Sequence, residues 1–142
     1  MKNFSLNSRI LLVLAFILAQ LCLPMQSIHA ATTATTEAYA VLSTDKKTLT
    51  FYYDTYKNSR QGTIYTSSNF RTHVNNGWGS SASTITTVTF DSSFSSFTGL
   101  TSTAYWFDNM NHLTIINGLN YLKTTNVTNM YCMFYGCSSL TS

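Results

Sequence analysis

The sequence has few charged residues and almost no proline. Only 9% of its 142 residues are charged, and its one proline is Pro24. Lys2 and Arg9 account for two of the eight basic residues, so six bases face five acids from residue 31 onward. Because nucleic acid is held by clustered positive charge, the absence of a basic stripe argues against a nucleic-acid-binding protein. Serine, threonine, tyrosine and phenylalanine are abundant, which favours a β-rich extracellular module over a disordered tail.

The sequence also lacks the arrangements of nucleophiles and carboxylates that hydrolases need. It contains no Gly-x-Ser-x-Gly segment, the signature of a nucleophile elbow. Asp54, Asp91 and Asp108 are the plausible carboxylates, and capping of a turn or strand end is the expected role of each. His112 falls in a predicted turn, where we expect it to face solvent. We therefore predict a protein that is not an enzyme, with no catalytic, cofactor-binding or metal-binding residue.

The N-terminal segment, residues 1–30, has the pattern of a cleavable signal peptide. Lys2 and Arg9 precede the apolar run 10–19, and no acidic residue lies among them. Pro24 interrupts the apolar stretch before it reaches the about 20 residues that a membrane span needs. Small residues follow at Ala30 and its neighbour, where we predict cleavage. The pattern therefore predicts export, to the cell surface or beyond it, with no membrane span left after cleavage.

The C-terminal part contains an imperfect repeat. Residues 106–114, WFDNMNHLT, recur as residues 133–141, MFYGCSSLT, so position 106 corresponds to position 133, an offset of 27. Apolar residues in each unit step by three or four positions, which predicts one face of a short helix. The stepping residues are Leu100, Thr103, Phe107 and Met110 in one unit and Val127, Met130, Phe134 and Cys137 in the next. Residues 113–116 predict a brief strand, followed by an Asn-Gly turn.

One helix and one strand in a unit of this length is typical of the leucine-rich-repeat size class. Upstream, the apolar runs 39–42 and 48–53 flank a polar turn, which predicts a β-hairpin. Residues 63–65 and 85–90 predict a third and a fourth strand. A small β-rich region in this place would cover the otherwise exposed apolar end of a repeat array.

Residues 126–142, NVTNMYCMFYGCSSLTS, resemble the repeat of the BspA-like leucine-rich-repeat surface proteins of bacteria. The stretches 85–91 and 118–122 are similar to the lead-in of such arrays. The resemblance covers about residues 38–142 and is specific over 85–142. It implies the N-terminal part of a secreted or surface-exposed protein with a truncated repeat array. It also implies adhesion to host matrix proteins or to other bacteria.

We therefore expect an α+β fold in which a small β-rich N-terminal cap precedes the start of a leucine-rich-repeat solenoid. The expected divisions are a signal peptide at 1–30, a flexible leader at 31–37, the cap at 38–84 and repeat units at 85–142, the last incomplete. The expected function is an exported binding protein that adheres through its repeats, with possible self-association through the uncapped C-terminal end. The alternatives are a non-functional N-terminal fragment of a longer adhesin and an accessory binding domain of a secreted enzyme.

Two further sets of residues have predicted roles. Cys132 and Cys137 are five residues apart, which places them on different faces of a helix, so we predict free thiols rather than a disulfide or a zinc site. Aromatic residues provide a possible recognition surface. Its candidates are Tyr52, Tyr53, Tyr56, Trp78, Tyr105, Trp106, Tyr121 and Tyr131. The repeat alignment places Trp106 and Phe107 in the core and leaves Tyr121 and Tyr131 open.

Overall fold

A computed structural model describes residues 34–71 and 77–141 of the chain. The predicted signal peptide and the first residues of the predicted leader lie outside these described residues. The described chain begins with an antiparallel hairpin of β1 (Glu37–Leu42) and β2 (Thr48–Asp54). Strand β3 (Thr63–Thr66) pairs antiparallel with the other edge of β1. The predicted hairpin and third strand are confirmed.

The sheet continues from the hairpin into the repeats. Strand β4 (Thr87–Phe90) pairs parallel with β2, and β5 (Ile115–Asn117) pairs parallel with β4. The result is one mixed, open five-stranded sheet in the order β3-β1-β2-β4-β5. The other regular elements of the described residues are short 3₁₀ turns. They span Lys57–Ser59, Ser67–Arg71, Gly79–Thr84, Ser92–Ser96 and Leu119–Tyr121.

The predicted fold class, a solenoid of strand-plus-helix units, is wrong. Within residues 100–110 and within residues 127–137 the backbone forms successive turns. No α-helix occurs in the described parts of the chain. Positive φ angles at Tyr105 and Cys132, of 61° and 52°, interrupt any helical path. The i, i+3, i+4 apolar spacing that predicted helices here belongs to chains of turns instead.

The core is an aromatic cluster beneath the sheet. Phe51, on β2, is fully buried and packs against the rings of Phe70, Trp78, Phe90, Phe94, Trp106 and Phe107. The two tryptophans also hold neighbouring backbone groups. The indole N–H of Trp78 donates to the carbonyl of Trp106 at 2.7 Å, and the indole N–H of Trp106 donates to the carbonyl of Phe70 at 3.1 Å. Phe70 and Trp78 are thereby joined to the first repeat.

No helix in residues 34–71 and 77–141 is long and apolar enough to cross a membrane.

Candidate functional site

Each repeat contains a run of overlapping turns, which we call the first ribbon (residues 103–110) and the second ribbon (residues 130–137). In the first ribbon the N–H of Trp106 donates to the carbonyl of Thr103 at 3.2 Å. At the equivalent position of the second ribbon the N–H of Met133 donates to the carbonyl of Met130 at 3.1 Å. Two further turns of the same i to i+3 kind follow at two-residue steps in both ribbons.

The backbone conformation repeats with the same offset. In the first ribbon φ is positive at Tyr105 and Asn109, and in the second it is positive at Cys132 and Gly136. A positive φ at the third residue is what a type II turn requires. Gly136 has a further constraint, because a Cβ at this position would lie 2.9 Å from the side-chain oxygen of Asn109. The close approach of the first ribbon and the positive φ of 72° both favour glycine at this position.

The two ribbons are joined by a one-way ladder of hydrogen bonds. Four N–H groups of the first ribbon donate to four carbonyls of the second repeat at 2.8 to 3.0 Å. The pairs are Thr103 to Asn129, Tyr105 to Tyr131, Phe107 to Met133 and Asn109 to Tyr135. Each ribbon therefore has one edge of donors and one edge of acceptors, because alternate N–H groups point one way and alternate carbonyls point the other.

Side chains reinforce the contact between the repeats. The amide of Asn126 donates to the carbonyl of Thr98 at 3.0 Å, and the hydroxyl of Ser139 donates to the carbonyl of Asn111 at 2.6 Å. Both bonds again link positions about one repeat apart. The abundance of Ser, Thr and Asn in the repeats therefore has a structural role, since their polar groups satisfy carbonyls that the turns leave free.

The donor edge of the second ribbon has no partner within the described chain. The N–H groups of Met130, Cys132, Phe134 and Gly136 correspond to the four paired donors one repeat earlier, but none of them donates to an acceptor among the described residues. Met130, Phe134 and Gly136 are exposed, and Cys132 is half-buried. This row of free donors lies at the exposed end of the repeats, beyond β5.

An apolar groove of about 410 Å³ lies at the same end. Phe134 and Leu119 are its most exposed large side chains, at 41% and 48%. The groove is lined by Thr114, Ile116, Leu119, Phe134, Leu140 and Thr141, none of which is charged. We refer to the donor row and this groove together as the exposed end. Together they offer a second chain both apolar contact and backbone hydrogen bonds.

Tyrosines lie along the side of the ribbons. Tyr131 and Tyr135 are 64% and 66% exposed, and the ring of Tyr131 contacts the ring of Tyr105 edge-on, with the centroids 5.4 Å apart. The neighbouring Cys132 thiol raises the pKa of Tyr131. These rings extend the contact area next to the exposed end.

The other aromatic candidates divide between core and surface. Trp106 and Phe107 are fully buried, as the repeat alignment predicted. Trp78 is also fully buried, so it is not part of a recognition surface. Tyr121 is half-buried and packs against the core. Tyr56 is exposed, and it follows β2, far from the ribbons in sequence.

Both cysteines of the second ribbon are free thiols. The Sγ of Cys137 donates to the carbonyl of Phe107 at 3.0 Å, and burial raises the pKa of Cys137. Both thiols are half-buried, whereas Met110, the counterpart of Cys137 in the first ribbon, is fully buried. At this position, too, the side chain of the second ribbon is less buried than its counterpart in the first.

The predicted capping role is confirmed for two of the three carboxylates. Asp91 accepts from the N–H of Ser93 at 2.9 Å, at the start of the 92–96 turn. Asp54 accepts from the N–H of Tyr56 at 2.8 Å. Asp108 is half-buried within the first ribbon, and His112 is exposed. His73 lies outside the described residues, and among those that are described no three His, Cys, Asp or Glu side chains cluster as metal ligands.

A polar network at the open end of the hairpin has no recognisable signature in the sequence. The Tyr39 hydroxyl donates to Asp54, and Arg60 bonds Asp54 at 2.7 Å while its guanidinium lies 3.8 Å above the ring of Tyr52. Burial and the hydrogen bond to Asp54 raise the pKa of Tyr39 to about 12. Burial opposes ionisation of Asp54, but the bonds from Tyr39, Tyr56 and Arg60 outweigh it and lower the pKa of that carboxyl. Every member is paired within the network, so we assign it to holding the 55–62 segment on the sheet.

Comparisons of the chain with models of protein families, with curated proteins and with solved structures find no match.

Proposed function

We propose that the chain is an exported, non-enzymatic binding protein that recognises another polypeptide through the exposed end of its repeats. The observation that carries the proposal is the uncharged apolar groove next to a row of backbone donors that are unpaired within the described chain. An apolar patch beside unmet hydrogen-bonding groups is typical of a surface that another chain covers. The exposed Tyr131 and Tyr135 add side chains of the type that dominates protein interfaces.

The proposal of export and adhesion is supported by the sequence. The segment before Ala31 has the features of a signal peptide, and the resemblance of residues 126–142 to BspA-like repeats implies display at the bacterial surface. We propose host matrix proteins or other cells as the targets. Recovery of the protein outside the cell with an N-terminus within a few residues of Ala31 would support export. Recovery with Lys2 still attached and embedded in the membrane would contradict it.

Binding is tested with the chain purified after export, applied to immobilised host matrix proteins and to whole bacterial cells. The test variant is the double substitution Leu119→Ser and Phe134→Ser, which makes the groove polar. The matched control is Tyr56→Ser, which removes an aromatic side chain of 64% exposure away from the repeats. Near-ultraviolet circular dichroism and a denaturant midpoint confirm that both variants are folded.

We expect saturable binding by the native chain and by Tyr56→Ser, and at least about a tenfold loss of affinity in the double variant, because central apolar contacts dominate interfaces. Equal binding by the double variant and the native chain would show that the exposed end is not the binding surface. Failure of the native chain to bind any of these targets would overturn the adhesion proposal.

A further inference from the structure

The segment after β2, residues 55–62, lies across the face of the hairpin that points away from the aromatic core. Tyr39 and Val41 on β1 are buried although they alternate with the residues of that strand that belong to the core, so they lie on this opposite face. Arg60 donates to the Tyr39 hydroxyl at 3.2 Å. A Cβ at Gly62 would lie 3.0 Å from a methyl group of Val41, so the end of the segment contacts this face too. We call the segment the strap, because it covers the second face of β1.

The strap is held by charge and not by apolar burial. None of its residues is buried, and only Lys57 and Arg60 are even half-buried. The Nζ of Lys57 lies 2.6 Å from a carboxylate oxygen of Glu37, and a guanidinium nitrogen of Arg60 lies 2.7 Å from Asp54. Because ion pairs change with pH whereas apolar contacts do not, the attachment of the strap depends on the ionisation of two carboxyl groups.

Asp54 is the centre of this attachment. One of its oxygens accepts the Tyr39 hydroxyl and the backbone N–H of Tyr56, the latter at 2.8 Å, and the other accepts Arg60. The guanidinium also lies 3.8 Å above the ring of Tyr52, in a cation–π contact. A carboxylate accepts on both oxygens, whereas a protonated carboxyl has no charge and carries a hydrogen on one of them. Protonation of Asp54 therefore removes the ion pair and leaves fewer acceptor sites for the other two donors.

The other ionisable groups around Asp54 do not replace it in acid. Glu37 lies opposite Asp54 in the β1–β2 register and is itself a carboxyl group, so acid neutralises it as well. Arg60 and Lys57 keep their charge at any acid pH. Burial and the hydrogen bond to Asp54 raise the pKa of Tyr39 to about 12, so its hydroxyl also stays protonated. Acid therefore removes the negative charge from this site and leaves the two positive charges uncompensated.

We propose that the strap is an acid-released cover, in which protonation of Asp54 frees residues 55–62 and exposes Tyr39 and Tyr52 while the core stays folded. Burial raises the pKa of Asp54, but the bonds that its carboxylate accepts outweigh burial and lower that pKa. The closed strap is therefore stabilised above the ordinary carboxyl pKa of about 4 and loses this stabilisation as the pH falls through the lowered value. The buried core cluster contains no carboxyl group, so acid acts on the strap first. The proposal depends on neither the exposed end nor adhesion.

The proposal is tested by NMR on the chain purified after export, titrated from about pH 7 to about pH 2.5. The side chain of Arg60 reports on the strap, because the ring current of Tyr52 shifts its signals only while the two are stacked. The indole N–H groups of Trp78 and Trp106 report on the core, since both side chains are buried and both N–H groups are hydrogen-bonded there. One titration thus separates release of the strap from unfolding of the chain.

Two variants give a matched comparison. Asp54→Asn keeps the shape of the side chain but cannot ionise. Asp91, at the end of the neighbouring strand β4, also accepts the backbone N–H two residues later, that of Ser93 at 2.9 Å, but it bonds no group of the strap. Asp91→Asn is therefore the control for the loss of a capping carboxylate.

We expect the Arg60 signals of the native chain and of Asp91→Asn to lose their ring-current shift below about pH 4, with the indole signals unchanged. Asp54→Asn should show unshifted Arg60 signals at every pH. Loss of the indole signals at the same pH as the Arg60 shift would overturn the proposal, as would an Arg60 shift that persists in acid. An acid-driven change retained in Asp54→Asn would also overturn it. The titration of the native chain is decisive by itself, so the proposal stays testable if a variant fails to fold.

Discussion

The two ribbons have the same backbone and very different surroundings. Both are built from turns at equivalent positions, yet Phe107 of the first is fully buried while its counterpart Phe134 is 41% exposed. The first ribbon is covered by Phe70 and Trp78 on one side and by the second ribbon on the other. The difference shows that local turns determine the conformation of a repeat, whereas burial is supplied by its neighbours.

The largest expected effect comes from truncating the equivalent phenylalanines. Phe107→Ala should lower the free energy of unfolding by about 3–5 kcal/mol, since it leaves a cavity in the aromatic core. Phe134→Ala should cost about 1 kcal/mol, because much of its ring already contacts water. Urea denaturation of both variants measures the difference. Equal losses would show that the end of the second ribbon is covered in solution.

The equivalent positions Asn109 and Gly136, both with positive φ, allow a second comparison of the stability of the two ribbons. Gly136→Ala should cost about 1–2 kcal/mol, because a side chain there adopts a left-handed backbone and also meets Asn109. Asn109→Gly, at the equivalent position of the first ribbon, should change stability by less than about 1 kcal/mol. A harmless Gly136→Ala would mean that the second ribbon does not approach the first as closely as described. Thermal unfolding of the two variants gives the comparison.

Thr103 offers a stabilising change within the first ribbon. Its hydroxyl is buried with no hydrogen-bond partner among the described residues, whereas the equivalent residue, Met130, is exposed. Thr103→Val should raise the free energy of unfolding by about 1 kcal/mol, because valine has the same shape and no polar atom to satisfy. Thr101→Val, at a nearby exposed position, should stay within about 0.5 kcal/mol of the native chain. A loss of stability in Thr103→Val would indicate that the hydroxyl is satisfied in solution.

The smallest expected effect concerns the reactivity of the Cys137 thiol in the second ribbon. Cys137 should react with iodoacetamide a few-fold more slowly in the folded chain than in denaturant, because burial raises its pKa and reduces the thiolate fraction. Mass spectrometry of timed samples follows the reaction at each cysteine. An equal rate in both conditions would show that the second ribbon does not shield Cys137 at all. A loss of two hydrogens across Cys132 and Cys137 would contradict the free thiols.

The strands were predictable from sequence because their patterns are local. The apolar runs on either side of the polar segment 43–47 predicted the hairpin. The Asn-Gly turn was also predicted, and Gly118 there has the positive φ, 67°, that such a turn favours. The helices were wrong because apolar spacing of three and four residues does not distinguish a helix from a chain of turns. Two of the four positive φ angles in the ribbons fall on Tyr105 and Cys132, residue types that carry no signal for that conformation.

The candidate site was only partly predictable for the same reason. The repeat alignment predicted an apolar surface on the second unit, and Phe134 there is 41% exposed. The donor row was not predictable, because it arises from the alternating backbone directions of the ribbon and not from any side chain. The Tyr39–Asp54–Arg60 network was missed because its members are far apart in sequence and lack a characteristic spacing.

The second ribbon repeats the backbone of the first but has an unpaired donor edge within the described chain. Amide hydrogen exchange on the chain alone, at low concentration, tests this most directly. We expect the N–H groups of Thr103, Tyr105, Phe107 and Asn109 to be strongly protected, because each donates to a carbonyl of the second repeat. We expect those of Met130, Cys132, Phe134 and Gly136 to exchange at nearly unprotected rates. Similar protection in the two sets would contradict the account.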